Sequence, residues 1–305
     1  MMAGPRRRNV TAAAASGMPS RPSLLDRIRE SKYAQSLKWI TATSIIVFLL
    51  IVCASLLGPA LLPHRPETVN LSERLDAPSA SHVLGTDNLG RDVLARLLLG
   101  TRISLFVAIS GAALAGVAGL LLGTISGYYG GVFDQIWLRV SEIFMAFPAH
   151  VILLVMVAVV GPSLQNIIII FAITKWATLY RLVRAQFYSL REEEFVEALR
   201  ALNVGNASII FKHMLPNMLG PITVWFTLEV ATGIIEEAGL SFIGLGIQAP
   251  TPSLGNLLSS AQDIRILRSY VWLWMAPGIT IAAATLCVNF IGDWLRDVTD
   301  PRTAE

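Results

Sequence analysis

Charge is scarce in this sequence. Asp, Glu, Lys and Arg make up 15% of its 305 residues, where an ordinary soluble domain carries about 25%. Hydrophobic residues make up 54%, and mean hydropathy is +0.60. That balance excludes a disordered chain and argues against a water-soluble globule. Cysteine is almost absent. Cys53 and Cys287 lie far apart in apolar runs, so they read as small hydrophobes and not as a disulfide scaffold. The four lysines are Lys32, Lys38, Lys175 and Lys212, and none follows a glycine. A phosphate-cradling Walker A loop needs a Gly-Lys-Ser/Thr run, so this chain has none. Gly-x-Ser-x-Gly and His-Glu-x-x-His are both missing, which removes the usual group sets of a membrane-embedded hydrolase. His64, His82, His150 and His213 are scattered, and no Cys/His spacing suggests zinc, so no metal site is expected. The net charge of +3 is no nucleic-acid signature.

What the chain does have is long charge-free runs. Residues 39–63, 103–133, 143–174 and 269–292 contain no Asp, Glu, Lys or Arg, and 216–235 is interrupted only by Glu229. A helix needs roughly 20 apolar residues to cross a bilayer. The 143–174 run is longer than one span and contains Gly161-Pro162-Ser163, which reads as a turn. Six transmembrane helices follow, at about 39–62, 103–126, 137–160, 164–182, 217–238 and 270–292. Strand-period alternation is absent, which argues against a barrel. The expected organisation is a tail (1–38), a first span (39–62), a loop (63–101), a five-helix core (102–293) and a second tail (294–305). With the N-terminus placed inside, the inner segments hold sixteen basic residues and the outer ones six. Both termini and the 183–216 loop are therefore expected in the cytoplasm. Arg6, Arg7 and Arg8 before an Ala-rich stretch could be a twin-arginine signal, but the apolar region is weak. A polar tail, poorly ordered to about Leu24, fits better.

The 189–216 segment carries the most information. Ser189 with Glu192 reads as a capping box, and Glu192, Glu193 and Glu194 suit the positive end of a helix dipole. Phe195, Ala198, Leu199 and Leu202 form an apolar stripe at helical spacing. Asn203 and Gly205 tolerate a left-handed stop, and Pro216 opens the next span. The result is a helix-turn-helix hairpin exposing both acids and apolar side chains. It could rest on the membrane as an amphipathic connector or dock a cytoplasmic partner.

Other segments read less sharply. Thr86, Asp87 and Asn88 suggest a turn, followed by an interfacial helix with Leu89, Val93, Leu94, Leu97 and Leu98 on one side and Arg91, Asp92 and Arg96 on the other. A calcium loop from Asp87, Asn88 and Asp92 lacks the full ligand spacing. Acids inside spans tend to face a cavity or the bundle interior. Glu229 and Glu236, seven apart, share a helix face, and Glu142 and Lys175 are similar candidates. Glu237 is a further one, although it could simply anchor the outer loop. Gly119 and Gly123, with Gly111 and Gly116 nearby, have the small-residue spacing that lets helices approach closely.

Several segments carry a family resemblance. Glu197-Ala198 and Leu215-Pro216 resemble the E-A-A loop of ABC-importer permeases, with Leu199 and Asn203 departing from its usual Ala and Gly. Residues 82–92 (His-Val-Leu-Gly-Thr-Asp-Asn-Leu-Gly-Arg-Asp) resemble a motif of the dipeptide/oligopeptide/nickel permeases. So do Gly127-Tyr128-Tyr129-Gly130-Gly131, Ala146-Phe147-Pro148, segment 237–246, Pro250-Thr251-Pro252-Ser253 and segment 289–297 with Asp300-Pro301-Arg302. These ordered matches cover roughly residues 80–302. The resemblance implies an all-α membrane protein: a MetI-like bundle of six transmembrane helices with a cytoplasmic coupling hairpin. It implies the C-type, non-catalytic permease subunit of an importer for peptides, or for nickel or glutathione-like molecules, in the inner membrane of a bacterium. The implied coupling residues are Glu197, Ala198, Arg200, Asn203, Gly205, Leu215 and Pro216. The implied partners are a paralogous permease, two ATP-binding subunits that use ATP and Mg, an extracytoplasmic substrate-binding protein and the lipid bilayer around this chain, with no nucleic acid. No cofactor is expected on this chain itself. A stand-alone proton-coupled transporter is the alternative, but it predicts inverted repeats that are not evident.

Overall fold

The computed structural model describes residues 24–299, with side chains from 39 to 298. The Arg6–Arg8 tract, the expected disorder before Leu24 and the Asp300-Pro301-Arg302 ending lie outside the described residues. The chain divides into two units, Met1–Ile40 and Thr41–Glu305. Helix α1 (Leu24–Leu61) begins in the first unit, so helix is already present within the expected 1–38 tail. Everything that follows belongs to the second.

The described residues are almost wholly helical, with one isolated β-bridge between Thr86 and Asp92. Five helical stretches are long and apolar enough to cross a membrane, and a sixth span is counted if one bent pair is taken together. Helix α2 (Val93–Tyr129) is longer than the expected second span. At 1.5 Å per residue its 37 residues reach about 55 Å, against a hydrocarbon core of about 30 Å. The expected interfacial helix is therefore the first part of α2 and not a separate element. Its start is set by Asp92, whose Oδ1 accepts the Ala95 N–H at 2.7 Å. Its end is set by Gly130, at φ 67°, a backbone angle glycine adopts without penalty.

The expected third span, 137–160, is not one helix. Helix α3 (Gly131–Ala146) and α4 (Ala149–Val160) meet at 90°. Pro148 lacks an N–H and pushes Phe147 into extended backbone, φ −105° and ψ 147°. Gly161-Pro162-Ser163 forms the expected turn, and Ser163 caps α5 (Leu164–Leu190) by accepting from Asn166 N.

Helix α6 (Glu194–Ala201) forms the first arm of the hairpin. The second arm is α7 (Asn206–Ser208), then a π-helical turn (Ile209–Met214) and a 3-10 turn (Leu215–Met218), running into α8 (Leu219–Phe242). The change of helical register around Pro216 accommodates a residue with no N–H to donate. Short helices α9 (Leu254–Leu258) and α10 (Ile264–Ser269) precede α11 (Trp272–Thr299), which continues past the 293 boundary.

Helices α2 and α5 pack along a strip of small residues. A Cβ on Gly123 would meet the Tyr180 carbonyl oxygen at 2.8 Å, and one on Gly127 would meet Phe187 Cβ at 2.6 Å. Without those methyls the two backbones approach closely, which is how helices associate where no water drives them together. Gly116 instead faces Trp225 of α8. Leu50 and Leu57 of α1 and Phe106, Val117 and Leu121 of α2 are exposed apolar side chains. At most 50% of any candidate span's apolar window is buried within the chain, so lipid or another subunit must solvate the rest.

Candidate functional site

The hairpin is fastened to the bundle from beneath. Val196, Ile209, Ile210, Met214 and Met218 join Tyr128, Val183 and Phe187 in one buried cluster, linking the hairpin to the ends of α2 and α5. Tyr128 Oη donates to Asn206 Oδ1 at 2.9 Å, and the Arg200 guanidinium lies 5.4 Å from the Tyr128 ring centre. Truncating a fully buried Met or Phe in such a cluster costs about 2–5 kcal/mol.

The upper face of the hairpin is left uncovered. Phe195, Glu197, Ala198, Arg200 and Leu202 are exposed, with Leu202 at 75%. The apolar stripe thus divides: Leu199 packs inward beside Val196, while Phe195, Ala198 and Leu202 point away. The expected capping box does not form. Helix α5 continues through Ser189 to Leu190, and α6 starts only after Glu193, whose side chain makes no cap hydrogen bond. Asn203 takes the left-handed turn at φ 55°, whereas Gly205 has φ −65° and ordinary extended backbone. Pro216 is exposed and Leu215 half-buried.

A second arrangement lies between α4, α5 and α8. Lys175 Nζ contacts Glu229 Oε1 and lies 2.7 Å from Glu236 Oε2. The side chains of Lys175, Glu229 and Glu236 are 10%, 17% and 12% exposed. His150 Nδ1 approaches Glu236 Oε1 at 3.5 Å. A cavity of about 210 Å³ opens on the three charges, lined also by Leu153, Thr174, Thr178 and Thr232. Two carboxylates share one ammonium, so the formal charge of the trio is −1. The seven-residue spacing of Glu229 and Glu236 made their common face legible in the sequence. That Lys175 joins them from another helix was not legible.

The other candidate acids lie elsewhere. Glu142 is exposed and pairs with Arg139 at 2.8 Å. Glu237 is fully buried, accepting from Ser104 Oγ at 2.5 Å and Ser241 Oγ at 2.7 Å. Ser104 Oγ also accepts the Leu254 N–H at 3.0 Å. Glu237 therefore ties α2, α8 and α9 together and is an anchor, not part of the cavity. Sequence reading missed Arg184, which clamps Asp134 of α3 with two nitrogens, one at 2.6 Å.

The 62–92 loop contains further polar contacts. Asp87 pairs with Arg91 at 2.7 Å and lies 3.5 Å from the buried Arg96, while Asp92 turns to His82 at 2.8 Å. The carboxylates needed for a calcium loop thus point to different partners, and Arg96 lies inside rather than on a charged outer side. The hydrogen bond to Asp92 raises the His82 pKa above its ordinary value, against the opposing effect of burial. The histidines are not all scattered: His64 and His82 stack with ring centres 4.5 Å apart.

Comparisons with known proteins agree with this architecture. Residues 119–305 match the family described as binding-protein-dependent transport system inner membrane component. The chain is 41% identical over 266 residues to the dipeptide transport system permease protein DppC of Alkalihalophilus pseudofirmus, covering 86% of each. It is 35% identical over 272 residues to the nickel transport system permease protein NikC of Escherichia coli K12, covering 87% of this chain and 95% of that one. Among solved structures, an inward facing form of the MetNI methionine ABC transporter shares the fold, with a TM-score of 0.50 and 18% identity. That match covers 67% of this chain and 96% of the other.

Proposed function

Because the chain belongs to the family of binding-protein-dependent transport system inner membrane components, we propose that it is the C-type permease subunit of an ATP-driven importer that moves peptides across a bacterial inner membrane. In this reading it pairs with a paralogous permease, and two ATP-binding subunits supply the ATP and Mg chemistry. An extracytoplasmic binding protein delivers substrate at the end formed by the 62–92 and 243–271 segments. The excess of Lys and Arg on one side supports a cytoplasmic location for the hairpin and both termini.

One observation carries the reading. The hairpin is rigidly seated through Val196, Ile209 and Met214, yet presents Phe195, Glu197, Ala198, Arg200 and Leu202 outward. A surface like this can take a push from a partner and pass it to α2, α5 and α8 without absorbing it. Asn203, Gly205, Leu215 and Pro216 set the shape of the hairpin. Closure of the ATP-binding subunits would move it, and the bundle would alternate between inward and outward access. The Lys175–Glu229–Glu236 cluster would line the path. Its net negative charge suits the ammonium end of a peptide, and the likeness to a dipeptide permease supports peptides as the cargo.

Copurification tests the coupling. Glu197→Lys reverses one exposed charge, and surface changes of this kind usually alter stability by about 0.5 kcal/mol or less. The variant should insert and fold normally but lose much of the ATP-binding subunits that copurify with the parent. Unchanged copurification would overturn the assignment of the docking face.

A further inference from the structure

We propose that the loop between α1 and α2 holds a divalent transition-metal cation, ligated by His64, His82 and Asp92. Each of the three residues offers a ligating atom, and these atoms lie within 4.8 Å of one another. His82 and Asp92 are buried and His64 is half-buried, so the group has an open side for entry and for water ligands. Two imidazoles and a carboxylate form the nitrogen–oxygen donor set that suits zinc and its neighbours better than calcium or magnesium.

The surroundings are those of a ligand set and not of three stray side chains. Asp92 Oδ1 is taken up by the Ala95 N–H, which leaves Oδ2 facing His82 Nδ1 at 2.8 Å. Tetrahedral ligands with bonds of about 2.0–2.1 Å stand about 3.3 Å apart, so a cation taking the place of the shared proton needs the His82–Asp92 pair to open by about half an ångström. The other His82 nitrogen, Nε2, lies 3.4 Å from Glu73 Oε2. His64 Nε2 lies 3.1 Å from the Ser81 carbonyl. Ligating histidines commonly donate their second N–H to a carboxylate or a backbone oxygen, and both rings are placed to do so. Glu73 and Asp92 flank His82 with negative charge, which helps to offset the charge of a bound cation. Bound metal would join the chain leaving α1 to the N-cap of α2. None of these residues belongs to the Lys175 cluster.

The test uses the full chain without a polyhistidine tag, stripped with EDTA in detergent and dialysed against Zn²⁺ or Co²⁺. The parent should retain one Zn²⁺ equivalent and show Co²⁺ absorption distinct from the aqueous ion. His64→Phe keeps a ring against His82 but removes the donor, and it should weaken Zn²⁺ binding at least ~10-fold. His64→Ala should do the same, and the thermal profile in EDTA verifies that each variant is folded. No retained Zn²⁺ in the parent, or equal retention in folded His64 variants, would overturn the proposal.

Discussion

Lys175→Met isolates the energetics of the buried charge cluster. Methionine keeps an unbranched side chain of similar length and removes the ammonium. Glu229 and Glu236 then lose the cation they share, although both are more than four-fifths buried. Breaking a buried pair by removing one partner costs about 3–5 kcal/mol, because a charge is left uncompensated. A chain of this size loses about 2–4 °C of Tm per kcal/mol, so a drop on the order of 10 °C is expected. Thermal unfolding in detergent, followed by size-exclusion chromatography, measures it. Removing all three charges together, as Lys175→Met with Glu229→Gln and Glu236→Gln, should recover most of the loss, since a whole buried ion group can often be replaced at little cost. Uptake by that triple variant separates two roles. A pathway role keeps uptake low in the refolded variant, whereas a purely structural role restores it. A single Lys175→Met variant within about 1 kcal/mol of the parent would refute the electrostatic reasoning.

Two further outcomes follow from the packing. Gly123→Val places a branched side chain where even a Cβ would lie 2.8 Å from the Tyr180 carbonyl oxygen, so α2 must move off α5 and stability should fall by about 1–3 kcal/mol or more; an unchanged Tm would contradict the close approach. Ser104→Ala removes a donor to buried Glu237 and the acceptor of Leu254 N–H, at a cost of about 1–3 kcal/mol, seen as faster hydrogen exchange at the start of α9.

The spans were legible because lipid leaves a chain few options, and charge-free runs mark them directly. The break inside 137–160 was hidden by the same signal. Hydropathy runs smoothly through Ala146-Phe147-Pro148, and only the backbone chemistry of Pro148 marks the bend. The start of α2 was misplaced because charges at Arg91, Asp92 and Arg96 suggested a water-facing helix, whereas Arg96 is buried beside Asp87. Ser189 failed as a cap because a capping pattern is local, and α5 already held that residue. Within the candidate sites, helical spacing placed Glu229 with Glu236. Lys175, 54 residues from Glu229, and His64, 18 residues before His82, join their groups only through tertiary folding.

If separate ATP-binding subunits drive this chain through the 194–216 hairpin, substrate uptake must depend on them. Dipeptide uptake into vesicles reconstituted with the chain and the proposed second permease, ATP-binding subunits and binding protein measures that dependence. The expected result is uptake that requires internal ATP, stops with an ATPase-dead partner and ignores a protonophore. Uptake that persists without the ATP-binding subunits and collapses with the protonophore would contradict it.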